Sequence, residues 1–337
     1  MNYDPNVKWP EYCRLSLRNL GLLLVLAAFG FVYGLCLLFQ GWQEPRASAR
    51  AELREPMRQA LSVEVGGACE RWQAESLSAK GQAELTHVTG LVSSQQYRNI
   101  LYHLTDASRE PTLVVTDLTG HVLQEVHYAA EASEPEALST GPCPWGGFCL
   151  FVADTGDAFH IRYKKRIHAI DERSIFSNAL HSAELEFQYP QNDRWDVEAL
   201  AVHPKTGDMF LFSKESGRSL VFRLAAKAWL QNDGERVAEQ VGYFPYDKIT
   251  DAAWSADGKR LLVINAQGFF ERTGQGDAEH SERDGWLPFE RKLRLPVMEN
   301  QNAVTYLADQ KSFVYSSPKK LFGDQAWGLM RAQCLSR

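Results

Sequence analysis

Glu198-Ala199-Leu200-Ala201-Val202-His203-Pro204-Lys205-Thr206-Gly207-Asp208-Met209-Phe210-Leu211-Phe212 is the stretch on which the fold turns. A polar residue, a small one and an aliphatic one open a short apolar run. Pro-Lys-Thr-Gly-Asp then supplies hairpin chemistry, and a second run follows. The opening triplet recurs as Thr89-Gly90-Leu91, Glu136-Ala137-Leu138, Asp251-Ala252-Ala253 and Asn302-Ala303-Val304, at spacings of 47, 62, 53 and 51 residues. Self-similarity at that period is the mark of β-sheets arrayed around an axis.

Each copy is followed by a second strand, such as Ile100-Leu101-Tyr102-His103 or Leu261-Leu262-Val263-Ile264, then by a third and, in the first four repeats, a fourth. The expected fold is all-β: a five-bladed β-propeller over 69–337, with six blades as the alternative. The fifth repeat runs out after three strands, so residues 69–77 are expected to return as its outer strand and close the ring, removing an open edge. Cys69 and Cys334 stand at the two ends of that ring. Cys143 and Cys149 bracket the turn-rich Pro-Trp-Gly-Gly-Phe. Two disulfides at these places imply an oxidising compartment.

Ahead of the propeller lie a polar tail at 1–19, an anchor at 20–41 and a helix-friendly linker at 42–68. Residues 20–39 are uncharged and apolar, and 20 residues of helix cross the roughly 30 Å hydrocarbon core. Trp9 and Trp42 flank them as interface residues would. A cleaved signal peptide is the competing reading, although its apolar part is normally shorter. The expectation is a single-pass protein of a bacterial inner membrane with its propeller in the periplasm.

The net charge is −6, and no basic stripe suits a nucleic acid. The short run Lys164-Lys165-Arg166 reads as a solvated edge strand. No Gly-x-Ser-x-Gly elbow, phosphate loop or zinc spacing appears. The first strand of each repeat should line the axis, which brings Thr89, Glu136, Glu198, Asp251 and Asn302 into one ring. Three acids there would repel one another unless a cation or basic side chain, such as Lys214 or Arg162, joined them. Calcium takes about 6–8 oxygens, so Glu136, Glu198 and Asp251 are candidate ligands. Asp154 and Asp157, in the turn Asp154-Thr155-Gly156-Asp157, either add to them or cap their own backbone. Asp106 is the counterpart of that turn in the first repeat. Trp195 is a candidate for exposure at the mouth.

Residues 151–262 resemble a bacterial family of extracytoplasmic propellers similar to the SdiA-regulated proteins and to esterase-like, phytase-type propellers. The carriers are Val152-Ala153-Asp154-Thr155-Gly156-Asp157, Arg162, Tyr189-Pro190, Asp196-Val197-Glu198-Ala199-Leu200 and Ile249-Thr250-Asp251-Ala252-Ala253-Trp254. The resemblance implies a propeller with an acidic axial opening. Asn302 stands where such proteins often carry an acid, and Ala158 where Asn is typical. Two functions follow as expectations: a module that binds a protein or small ligand on its axial acidic face, or a calcium-dependent phosphoesterase or esterase.

Overall fold

The computed structural model describes residues 69, 71–77, 85, 88–105, 111–129, 131–177, 179–231, 234–273, 291–317 and 328–335. The expected tail, anchor and linker lie outside the described residues, as does Asp106. Among the described residues no helix is long and apolar enough to cross a membrane.

Among the described residues twenty strands form five antiparallel four-stranded sheets, which are five blades rather than the alternative six. Strand β1 (Trp72–Ser76) comes first in the chain but belongs to the last blade. Blade one is β2 (Val88–Ser93), β3 (Ile100–Thr105), β4 (Thr112–Asp117) and β5 (Val122–His127). Blade two is β6 (Pro135–Pro142), β7 (Phe148–Asp154), β8 (Lys165–Asp171) and β9 (Ser182–Phe187). Blade three is β10 (Val197–Val202), β11 (Met209–Ser213), β12 (Ser219–Leu224) and β13 (Glu239–Phe244). Blade four is β14 (Asp251–Trp254), β15 (Arg260–Asn265), β16 (Gly268–Thr273) and β17 (Arg291–Leu293). Blade five is β18 (Ala303–Tyr306), β19 (Ser312–Ser317) and β20 (Gly328–Cys334), completed by β1.

The first strands of the blades touch one another in sequence, β2 to β6 to β10 to β14 to β18 and back to β2. They therefore encircle a common axis. Their approach is close: a Cβ on Gly90 would lie 2.6 Å from the backbone nitrogen of Leu138 in the next inner strand. That contact is the physical reason for a small residue after the ring position.

Strand alternation builds the core between blades rather than inside one sheet. Met209 and Leu211 face blade two, while Phe210 and Phe212 of the same strand face blade four. Five such clusters, one between each adjacent pair, fill the ring. The two faces of each blade are thus apolar, and the short runs of the sequence carry both.

Ring closure follows the expected route. Strand β1 pairs antiparallel with β20, from Trp72 opposite Cys334 to Ser76 opposite Met330. Cys69 is bonded to Cys334 across a sequence separation of 265, and Cys143 to Cys149 across 6. By chain entropy the first removes more unfolded-state freedom, roughly 5 against 2 kcal/mol. Both disulfides belong to an extracytoplasmic domain. The run Lys164-Lys165-Arg166 departs from its expected place. Strand β8 is interior, between β7 and β9, and alternation turns Lys165 inward to complete burial.

Candidate binding face

The ring is set by register. In three blades the inner strand enters through an irregularity that leaves one residue out of the pairing: Thr89 between Val88 and Gly90, Glu136 between Pro135 and Ala137, Glu198 between Val197 and Ala199. Such a bulge re-aims its side chain. The next residue pairs with the second strand: Gly90 with Leu104, Ala137 with Ala153, Ala199 with Phe212. In blade four that partner-bearing residue is Asp251, opposite Ile264, and in blade five Ala303, opposite Ser316. Thr250 N–H bonds to Ile264 O just as Asn302 N–H bonds to Ser316 O.

The ring is therefore Thr89, Glu136, Glu198, Thr250 and Asn302. Asp251 sits one residue further, in the slot that Gly90 and Ala137 fill elsewhere. Its side chain crosses to the neighbouring inner strand, where Oδ2 accepts Val304 N–H at 2.7 Å; Oδ1 accepts Ala252 N–H at 2.8 Å. Burial pushes this carboxyl well above the usual range, against the pull of those two N–H groups. It is a link between blades and does not face the axis beside Glu198.

The other ring members divide by chemistry. Thr89 Oγ1 donates to Pro135 O at 3.1 Å, Thr250 Oγ1 to Gln301 O at 3.1 Å, and Asn302 Nδ2 to Val88 O. Each acceptor immediately precedes the next ring position, so these three side chains stitch one inner strand to the next. A carboxylate has no proton to donate. Between blades two and three the stitch is made instead by Thr155 Oγ1, which donates to Val197 O at 2.8 Å. Glu198 takes Lys214 Nζ as an ion pair, one of the two basic partners the sequence offered. Glu136 lies across the turn after β7. A Cβ on Gly156 would meet its Cγ at 2.8 Å, so glycine is needed there.

Arg162, the other basic candidate, turns to Asp154. That buried carboxylate accepts Arg162 Nη2 at 2.9 Å, Glu134 N–H at 2.8 Å and Ser133 N–H at 3.1 Å. Asp157 accepts Ile161 N–H and Arg162 N–H, both at 2.8 Å, and the buried Lys165 Nζ at 3.0 Å. Burial raises the Asp157 carboxyl, but the Ile161 N–H, Lys165 and Arg162 N–H outweigh it and hold the group below the usual range. In this structure these oxygens accept backbone N–H groups, Arg162 and Lys165. Among the described residues no group of three or more His, Cys, Asp or Glu is gathered to hold a metal.

Above this frame the loop 158–164 stands in solvent. Phe159 is 80% exposed, Ile161 66% and Tyr163 50%. A second loop braces it. His160 Nδ1 lies 2.6 Å from Arg194 O, Arg194 Nη1 donates to His160 O at 3.3 Å, and the Arg194 guanidinium covers the Tyr163 ring at 3.7 Å. Trp195 is not exposed at the mouth; it is half-buried against the core between blades two and three. The sequence marked Asp154, Asp157 and Arg162 but not this loop. Its signal was the alternation Phe159, Ile161, Tyr163 outside any strand.

The opposite ends of the inner strands differ. A shallow, solvent-open recess is lined by Val92, Leu138, Val202, Trp254, Val304 and Tyr306 among others, and no charged side chain lines it. On that side of blade two, buried Glu172 accepts Tyr102 Oη at 3.1 Å and Ser94 Oγ.

No family model matches the chain, and no curated protein matches it. The resemblance to SdiA-regulated and phytase-type propellers thus stands without that support. Among solved structures, a nidogen/laminin complex is similar at 11% identity, TM-score 0.40, over 69% of this chain and 73% of that one. A mitotic checkpoint complex is similar at 12%, TM-score 0.36, over 77% and 66%. Kuenenia stuttgartiensis hydrazine synthase is similar at 12%, TM-score 0.37, over 75% and 64%. The five-blade assignment rests on the strand order itself.

Proposed function

We infer that this chain is a binding and scaffold module of the bacterial periplasm. Residues 20–41 tether it to the inner membrane, and the ring face of its propeller engages a protein or small ligand. One observation carries the reading. Three ring positions carry side chains that donate across to the next blade, whereas the other two carry carboxylates, Glu136 and Glu198, the latter paired with Lys214, and Thr155 makes the stitch between blades two and three. Acids placed where the fold wants a donor are better explained by recognition than by stability. Loops on a rigid ring supply the remaining contacts. The hydrolase reading loses ground because Asp154 and Asp157 are already committed to backbone N–H groups, Arg162 and Lys165.

The test places a photo-reactive benzoylphenylalanine at the exposed Ala266, in the turn between β15 and β16 on the ring face, in the full-length protein in its native membrane. The expected result is an adduct to one identified molecule that weakens in Glu136→Gln/Glu198→Gln. Absence of any adduct, or turnover of p-nitrophenyl phosphate or p-nitrophenyl acetate that Glu198→Gln abolishes, would count against the binding module.

A further inference from the structure

We propose that the loop 158–164 is a rigid docking ridge that seats Phe159 and Ile161 in an apolar pocket of a partner protein whose rim carries Lys or Arg. This deepens the ring-face reading and rests on it.

Three large apolar side chains within five residues stand in water on one loop, at 80, 66 and 50% exposure. Exposed apolar patches of this kind mark interaction sites. The loop is also held from below with unusual thoroughness. The Asp157 carboxylate bonds the backbone N–H groups of Ile161 and Arg162, and Asp157 N–H bonds Asp196 Oδ1 at 2.8 Å. The Arg162 side chain folds inward, with Nη1 on Gly156 O at 2.7 Å and Nη2 on Asp154. Lys165 and Asp157 are both buried, at 0% and 1% side-chain exposure. Buried ions are a poor way to gain stability, since desolvation offsets their attraction. Here they fix a conformation: every one of these contacts sets the path of the backbone that carries Phe159 and Ile161. A surface ordered before binding loses little freedom on binding.

The second loop points the same way. Gln191 and Asn192 hold consecutive left-handed conformations, at φ 60° and 59°, and Arg194 beyond them clasps His160 and Tyr163. Strained non-glycine backbone persists where the surroundings over-determine it.

The partner's chemistry follows from charge. Glu134 and Glu136 lie against Gly156 at the foot of the loop, and Asp193 is exposed beside Arg194. Lys164 is neutralised by Glu186 at 2.6 Å, and Arg194 is stacked on Tyr163. The surroundings of the ridge are acidic, which disfavours an anionic lipid surface and favours a protein with basic residues around its pocket.

The experiment uses the full-length protein with benzoylphenylalanine at Tyr163. Illumination in the native membrane should give one protein adduct, with the linkage mapping to an apolar surface flanked by Lys or Arg. Phe159→Asp/Ile161→Asp should reduce its yield about thirtyfold, the loss expected of a hot spot. Both side chains are exposed, so this variant should keep the wild-type thermal transition. Adducts to lipid, binding to vesicles of phosphatidylglycerol and phosphatidylethanolamine that the double variant abolishes, or a yield unchanged by the double variant would each overturn the proposal. An adduct from Ala266 with none from Tyr163 would overturn the ridge while leaving the ring face standing.

Discussion

Two buried charge networks hold this propeller, and they do different work. In blade four Glu271 is fully buried and binds Arg291 Nε at 3.0 Å and Tyr306 Oη at 2.8 Å, with Arg260 Nη1 at 3.9 Å. Arg291 also donates to Cys69 O. That network joins blade four to the inner strand of blade five and to the segment that closes the ring. In blade two Asp154, Asp157, Arg162 and Lys165 join nothing across the closure. They shape one loop, whose exposed end is apolar. The first network is a latch and the second a mount. The contrast teaches that a buried ion pair is read by what its far end touches, because its net energy alone is small.

The comparison can be broken at its latch first. Glu271→Ala leaves Arg291 and Arg260 without their buried acid and should cost about 4 kcal/mol. The loss should appear in the global denaturant midpoint. Asp157→Asn should cost about 3 kcal/mol by the same reasoning. Here part of the loss should be local: amide exchange in 158–164 speeds up while the midpoint moves less than for Glu271→Ala.

A third buried acid sharpens the rule, because it has no cation. Burial pushes the Glu172 carboxyl up from 4.5 to about 7, against the hydroxyls of Ser94 and Tyr102 and the pull of Gln96. Its folded form keeps the proton longer than its unfolded form does. Stability from this group is therefore complete below pH 4.5 and is lost as pH rises through 7. Glu172→Gln should gain on the wild type as pH rises through that window, by up to about 3 kcal/mol above pH 7, read from thermal transitions across pH. Asp157, held low, has the opposite slope: its contribution is present above 3.8 and is lost on acidification below it. The smallest effect belongs to the ridge itself. Phe159→Ser/Ile161→Ser should change stability by less than about 0.5 kcal/mol, as exposed sites do, while weakening docking about tenfold or more.

The blades were legible because each begins with the same polar-small-aliphatic triplet and hairpin turns fall in phase. His203 N–H to Asp208 O and Ser255 N–H to Arg260 O close two of those turns where Pro204-Lys205-Thr206-Gly207 and Ala256-Asp257-Gly258-Lys259 predicted them. The outer strand 69–77 and the Cys69–Cys334 pair were legible for a topological reason: a ring leaves the end of its last blade beside its start; Cys143 and Cys149 were legible because they bracket one turn. The ring position in blade four was not. The pattern asks for Gly or Ala in second place, so it selects Asp251-Ala252-Ala253 and passes over Thr250-Asp251-Ala252, where an acid fills the small-residue slot. Only the pairing of Asp251 with Ile264 shows the shift. Lys165 was read as solvated because a basic run looks like surface; its burial depends on Asp157, eight residues away and across a turn.

Residue-resolved amide hydrogen exchange of 157–165 tests the mount most directly. The Ile161 and Arg162 amides, both bonded to the Asp157 carboxylate, should exchange far more slowly than their solvent-facing position implies and lose that protection in Asp157→Asn. Exchange of both at the rate of an open loop in the wild-type protein would show that nothing holds Phe159 and Ile161 in place, and the docking ridge would fall with it.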